Sequence, residues 1–497
     1  MVNAGKRKRA QNMTEQSKPR DEPIVAPKKA KTAPAAAPKK ASKVPGVTAT
    51  TRIHNPSDLT IQIITGSYDR ILHGITCTLP QDLSSVQFAD TFLFTAHTSA
   101  IKTLALSPPS HIVPGQPQKL LLASGATDAR INLYHISAHP PRKTTVPANA
   151  IPSLSTRAVV ENPSNRELGS LTHHVAGVTA VYFPTRGKLL SASEDSTIAV
   201  TRTRDWSLLS AIKAPIPKAQ GRPSGDTAPL GGAPSGVNDF AVHPSLKLML
   251  SVGKGEKCMR LWNLVTGKKA GVLAFTRELL MQCLESKHSS GEGRKVVWGS
   301  TETGEEFAVA FEWGVAVFGM DCKPRCKVLP DTRTKIHEVK YVKKSRDSEE
   351  QVLVISTEDG RLLFFSTEKE DLIAPTTVEG KEPGMHSAKL LAQLGGKEAG
   401  FDNRIKDFSI LEPEGTTDVL VVTGQSNGVV RLFKLDMEEV VTAESKKQVG
   451  AQIGLTETNN RVTCLQSFVM LPLPEGAKDE VMESDEEEEE EESSDEE

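Results

Sequence analysis

Four aspartates stand at the same place in a recurring phrase: Asp69, Asp128, Asp195 and Asp359 each sit in a small-residue turn between two β-type runs, and Asn427 is a polar stand-in. A short acid in such a turn accepts hydrogen bonds from the turn amides. Where spacing permits it also accepts from a histidine at the start of the unit, the place His97 and His174 occupy. General acid–base or nucleophilic chemistry needs groups that converge on one point. These acids recur along the chain instead, so their expected role is structural. The sequence contains no GxxxxGK[ST] loop, no GxSxG elbow and no HExxH pair, and its other histidines lack metal-ligand spacing. An enzyme is not expected, nor are a cofactor, a metal or a small-molecule substrate. Cys77, Cys258, Cys283, Cys322, Cys326 and Cys464 are scattered, and the 322/326 pair does not have the CxxC spacing of a zinc ribbon, so free thiols are expected.

The elements that must position these turns repeat as well. AHTSAIKTLALSP with KLLLASGATDARINLYHI (96–108 and 119–136) defines a unit that returns at 173–206, 236–269, 296–320, 335–367 and 403–435. Each unit alternates apolar and polar residues at period two, as in Ile131 and Leu133 or Val429, Arg431 and Phe433, which is the pattern of strands with one buried face. The strand-like run at 459–470 lacks a partner, and the runs at 60–79 lack a first strand. Joined, the two chain ends make one further unit, about seven in all, and the ring closes without an exposed sheet edge. The fold class expected is therefore all-β, a seven-bladed β-propeller over 53–472 sealed by its own termini. Surface insertions rich in Pro, Gly, Ser or Asn, none of them expected to supply a blade strand, fall near 137–170 and 214–235; 369–402 is a further, partly ordered connection.

The repeats resemble WD repeats, degenerate in places. The position where such repeats favour Trp holds Tyr134, Trp262, Phe318, Phe365 and Phe433, with Thr201 and Ile75 as departures. The runs ITGSYDRILHG, AHTSAIKTLALS, FAVHPSLKLMLSVG with LWNLVTGK, and NRIKDF with NNRVTCL are similar in order and spacing to the Mak-eleven type, also called the PAK-interacting WD-repeat proteins. That resemblance spans most of 58–470 and is weakest in the fourth unit. It implies a nucleolar factor that assists assembly of the large (60S) ribosomal subunit and maturation of its rRNA, with animal relatives described as inhibitors of a p21-activated kinase. GKGEKC at 253–258 departs from the pattern by one extra residue, with Glu256 near the expected Asp.

Charge is segregated along the 497-residue chain although its formal net charge is only −2. Residues 1–52 carry KRKR (Lys6, Arg7, Lys8 and Arg9) and two further Pro/Lys clusters with almost no large apolar residues. They are expected to be a disordered basic tail that serves nuclear import, contact with RNA phosphate, or solubility alone. Residues 473–497 end in ESDEEEEEEESSDEE, a disordered acidic tail and candidate shield for basic ribosomal proteins, with Ser484, Ser493 and Ser494 as candidate phosphosites. No apolar stretch reaches membrane-spanning length and no signal peptide opens the chain, so a soluble protein of the nucleus and nucleolus is expected, with no membrane partner.

Tyr68, Asp69, Arg70, Asn403, Arg404, Lys406 and Arg461 fall in turns or lead-ins that share one rim of such a disc. Arg and Tyr are frequent binding anchors. Tyr68, Arg70, Arg404, Lys406 and Arg461 are therefore candidate contacts to rRNA phosphate or to ribosomal proteins and assembly factors of a large-subunit precursor. Two alternatives stay open: an adaptor that binds and restrains a protein kinase, and a histone- or chromatin-binding disc.

Overall fold

The computed structural model describes residues 59–80, 86–141, 158–216, 235–346, 348–375, 384–414, 416–443 and 446–472. The basic cluster Lys6 to Arg9, the three candidate phosphosites and both terminal tails lie outside them, as does most of 214–235.

Period-two alternation folds into seven antiparallel four-stranded blades. Blade 1 runs from Val462–Val469 on the inside through Leu59–Ser67 and Ile71–Leu79 to Gln87–Thr95. Blade 2 follows as Ile101–Leu106, Lys119–Ala126, Ile131–Ser137 and Arg166–Leu171. Blade 3 is Val178–Thr185, Lys188–Ser193, Thr197–Arg202 and Leu208–Lys213. Blade 4 is Val237–Val242, Leu248–Gly253, Cys258–Asn263 and Lys268–Ala274. Blade 5 is Lys295–Thr301, Gly304–Ala310, Val315–Gly319 and Pro324–Val328. Blade 6 is Ile336–Lys343, Gln351–Thr357, Arg361–Ser366 and Lys389–Gly395. Blade 7 is Ile405–Leu411, Asp418–Gln425, Val429–Asp436 and Ala451–Glu457. Apolar faces of neighbouring blades interlock into the core; Leu465 of the last strand, for example, is fully buried among Ile61, Ile63 and Ile75.

The ring is sealed as the sequence requires. Val462–Val469 pairs with Leu59–Ser67 in antiparallel register, Ile63 opposite Ser467 and Ser67 opposite Val462. The seam continues past the ladder: the Tyr68 amide donates to the Arg461 carbonyl at 2.8 Å and the Met470 amide to the Thr60 carbonyl at 2.8 Å. Thr463 Oγ1 donates to the Gly66 and Ile101 carbonyls, stitching the last strand to blades 1 and 2 together. A backbone edge that would otherwise expose unpaired donors and acceptors is thereby satisfied.

Two of the expected insertions need correction. Residues 137–170 include most of Arg166–Leu171, the outer strand of blade 2, and Ala158–Val159, which pairs in parallel with the outer strand of blade 1. Residues 369–402 likewise contain Lys389–Gly395, the outer strand of blade 6. An outer strand packs on few neighbours, so RELGSL is mostly solvated and carries no apolar alternation to read.

One backbone feature recurs in all seven blades. The third and outer strands lose register by one residue at Ile75, Tyr134, Thr201, Trp262, Phe318, Phe365 and Phe433. These are the residues at the position where WD repeats favour Trp. A bulge there increases the local twist of each blade, and a large ring stands at it in all but Ile75 and Thr201.

Candidate functional site

The turns between second and third strands and the lead-ins to the inner strands share one face of the disc, here termed the upper face. In blades 1 to 3 the turn acid ties turn to lead-in. Asp128 accepts from the Thr98 amide at 3.1 Å, the Arg130 amide at 3.0 Å and His97 Nδ1 at 3.1 Å, while His97 Nε2 meets Ser124 Oγ at 2.8 Å. Asp195 repeats the arrangement with His174 Nδ1 and the Val175 amide at 3.1 Å and the Thr197 amide at 2.8 Å, and His174 Nε2 meets Ser191 Oγ at 2.8 Å. Asp69 accepts from the Arg461 amide at 2.9 Å, so in blade 1 the same turn-to-lead-in tie also joins the chain's two ends. Burial raises the Asp128 and Asp195 pKa values, but the donors around each carboxylate outweigh it and both lie below the usual aspartate range. Burial lowers the His97 pKa, so that ring is neutral near pH 7.

The other blades depart from this scheme. Glu256 in blade 4 forms a bidentate pair with the buried Arg260 of its own blade instead of reaching a lead-in. Trp262 Nε1 nevertheless donates to Ser251 Oγ at 2.8 Å. Asp359 in blade 6 holds Arg361 and accepts from Thr332 Oγ1 at 3.1 Å. Asn427 in blade 7 accepts only from the Val429 amide, at 3.2 Å, among the described residues.

Below this face the inner strands line the axial channel, and six of them bulge at their second residue: Lys102, Thr179, Asn238, His337, Lys406 and Thr463. Thr179 and Thr463 use the bulge to donate to the next blade's first inner-strand carbonyl, that of Val237 and of Ile101, and Asn238 donates to the Gly293 carbonyl in the lead-in to blade 5, at 2.7 to 2.8 Å. One residue further down, Thr103, Asp239 and Asp407 accept the next blade's amides from Val181, Val296 and Leu465. At the same level Lys295 pairs with Glu338 at 2.8 Å, and from deeper in blade 6 Lys340 reaches Asp407 at 3.0 Å. Burial opposes the charge of Lys295, yet Glu338 and Asp239 outweigh it and hold its pKa above the usual lysine value. Burial and the Glu338 carboxylate push Asp239 up to about 6.

The channel mouth between blades 5, 6, 7 and 1 is different in kind. Arg404 Nη1 and His337 Nε2 share the Glu358 carboxylate at 2.9 and 3.1 Å, and Lys406 Nζ meets His337 Nδ1 at 3.4 Å. A carboxylate only accepts and an ammonium only donates, which fixes His337 as the neutral Nε2–H tautomer. Burial and Lys406 lower its pKa to about 4. Lys406 itself bonds to no carboxylate among the described residues; burial, then Arg404, with Arg461 and Arg294 adding to it, outweigh the nearby Glu358 carboxylate and bring its pKa down to about 8. Arg294 and Lys335 converge on Glu312 at 3.2 and 2.7 Å. Five cations thus answer to two carboxylates, and positive charge is left over. Aromatic rings border the cluster: the Arg461 guanidinium lies 5.2 Å over Tyr68, and Arg333 and Lys335 lie 4.6 and 5.6 Å from Trp313.

Of the residues proposed from sequence, Tyr68, Arg404, Lys406 and Arg461 therefore belong to this mouth, with Tyr68 58% exposed. Arg70, at positive φ, lies in the exposed blade 1 turn. Arg294, Lys335, His337, Glu358 and Trp313 were missed. Aligning the second residue of each inner strand would have placed His337 and Lys406 on one level, but Trp313 and Arg294 sit in the weakly marked fifth blade. Among the described residues no group of three or more His, Cys, Asp or Glu is placed to hold a metal ion. A separate cavity of about 240 Å³ between blades 1 and 2 is walled mainly by Leu72, Phe92, Phe94 and Tyr134.

Comparisons with known proteins agree with this architecture. The family described as WD domain, G-beta repeat matches residues 165–200, the outer strand of blade 2 and the first three strands of blade 3. The chain is 23% identical over 418 residues to a p21-activated protein kinase-interacting protein 1-like of Xenopus laevis, covering 84% of this chain and 83% of that one. It is 24% identical over 431 residues to protein MAK11 of Saccharomyces cerevisiae, covering 81% and 82%. A shorter match of 216 residues at 23% identity, 44% of this chain and 47% of the other, is to Shk1 kinase-binding protein 15 of Schizosaccharomyces pombe.

Proposed function

We propose that this chain, a WD-repeat propeller protein of the Mak-eleven type, is a non-catalytic scaffold that assists assembly of the large ribosomal subunit and maturation of its rRNA in the nucleolus. The observation that carries this reading is the similarity to protein MAK11 over four-fifths of both chains. The upper face supports it, since a rigid rim with surplus cations suits a partner rich in phosphate. Mechanistically, the propeller supplies shaped contacts while the basic 1–52 segment adds salt-dependent, sequence-indifferent affinity. Binding, not turnover, is the activity.

The experiment is sedimentation of the tagged full chain from cell extract, followed by identification of co-purifying RNA and protein. Co-migration with large-subunit rRNA precursors is expected, and removal of 1–50 should reduce nucleolar retention and RNA association at low salt. Migration free of ribosomal precursors would sink the reading. A second reading, a kinase-binding adaptor, is favoured by the names of the frog and fission-yeast relatives. It requires a stoichiometric kinase complex free of ribosomal proteins, which the same fractions would reveal.

A further inference from the structure

The surplus charge at the channel mouth is held against its own repulsion. Lys406 is half-buried, it bonds to a neutral histidine and, among the described residues, to no carboxylate, and Arg404, Arg461 and Arg294 crowd it. Among the equivalent positions Thr179, Asn238 and Thr463 each make a direct bond towards the next blade, a use of the bulge that Lys406 forgoes. Such an arrangement is stable in isolation only at a cost, and an anion seated over Lys406 relieves it. The anion's source is suggested by what borders the mouth. Tyr68 presents a largely exposed ring beside Arg461, and Trp313 is flanked by Arg333 and Lys335. Alternation of cations with aromatic faces is the pattern that tracks a single nucleic-acid strand, phosphates on the cations and bases on the rings. A stiff duplex presents its phosphates on a broad convex surface and cannot lower one to a half-buried ammonium, whereas a flexible single strand can.

We propose that the mouth formed by Lys406, Arg404, Arg461 and Arg294 seats a backbone phosphate of single-stranded RNA, with a base stacked on Tyr68. This rests on the ribosome-assembly reading and deepens it by assigning the RNA contact to one place on the disc. The neutral His337 has a defined part: it stands between Glu358 and Lys406, bonding the carboxylate through Nε2 and the ammonium through Nδ1, so Lys406 has no direct carboxylate bond.

The test uses the purified full chain and a 12-nucleotide single-stranded RNA carrying 5-iodouridine, compared with the same sequence as a duplex and with a polyglutamate peptide. Photo-crosslinks mapped by mass spectrometry should fall on Tyr68. In the Lys406→Gln/Arg461→Gln variant they should disappear, affinity should fall about tenfold, and the log–log salt slope should shrink by about one to two. Tyr68→Ala should lose the crosslink while keeping most of the salt slope, which separates loss of the stacking surface from loss of fold. Crosslinks confined to residues 1–50, undiminished binding by the double variant, or preference for duplex or polyglutamate would each overturn the assignment. If any of these is found while the cellular protein still sediments with large-subunit precursors, the mouth is wrong and the assembly reading stands. RNA binding at the mouth without such co-sedimentation gives the converse.

Discussion

Blades 2 and 3 and blades 6 and 7 use the same backbone for opposite ends. In the first pair the upper face is closed on itself: each turn aspartate absorbs the lead-in amide, the turn amide and a histidine that is bonded in turn to a buried serine. In the second pair Asp359 binds a neighbouring arginine and the hydroxyl of Thr332 but no lead-in amide, Asn427 accepts one amide, and the bulge positions carry His337 and Lys406. The regular blades convert their repeat signature into stability. The irregular ones leave charge facing outward, where a partner can use it. The surplus cations of blades 6 and 7 stand where the repeat has degenerated, and blade 1, whose turn acid keeps its tie, adds Arg461 and Tyr68 to them.

The comparison breaks most sharply if the regular network is cut. Asp195→Ala removes at once the acceptor shared by the buried His174, two backbone amides and a threonine hydroxyl, and should cost about 2–3 kcal/mol in urea denaturation. The matching change in blade 7, Asn427→Ala, removes one exposed acceptor and should cost under about 1 kcal/mol. Equal losses at the two sites would show that the two pairs of blades do not differ as argued. A pH series sharpens the same contrast. The folded-state pKa values of Asp128 and Asp195 lie below their unfolded values, so their contribution is fully present above about pH 4 and is lost as pH falls through the folded values. Asp195→Asn should flatten the acid limb of the stability curve; an unchanged limb would place the acid sensitivity elsewhere.

What was legible in the sequence follows the same division. Ring closure, blade number and the aromatic bulge positions could be read because each leaves a local, repeated mark: alternation at period two, an acid in a turn, a ring at a fixed distance. The outer strands Arg166–Leu171 and Lys389–Gly395 could not, since an edge strand is specified by its partner's exposed ladder more than by its own side chains. The mouth was half legible. Arg404, Lys406 and Arg461 stood out as basic residues on a rim, but their convergence with Arg294 is a product of cyclic geometry that brings residues from separate blades to one axis. Glu358 and His337 carry no motif at all; only their shared contact with Arg404 and Lys406 gives them meaning.

The effect at Lys406 is the most telling, because its sign is opposite to what a substitution in a folded protein ordinarily brings. Lys406 has a folded-state pKa of about 8 against an ordinary value of 10.5. Between those limits the unfolded chain binds more protons than the folded one, so this group makes stability rise with pH; below about pH 8 its penalty is present in full. Lys406→Gln removes the charge while keeping a donor for His337 Nδ1. Discounted for the part of the side chain that solvent still reaches, the gain should be about 1 kcal/mol at pH 7, and it should fade as pH rises from 8 towards 10.5. A gain in stability together with a loss of RNA crosslinking would identify a residue kept for binding at the expense of the fold. If the variant is instead less stable at pH 7, Lys406 is a structural tie like Thr463, and the contrast between closed and open blades fails at its central residue.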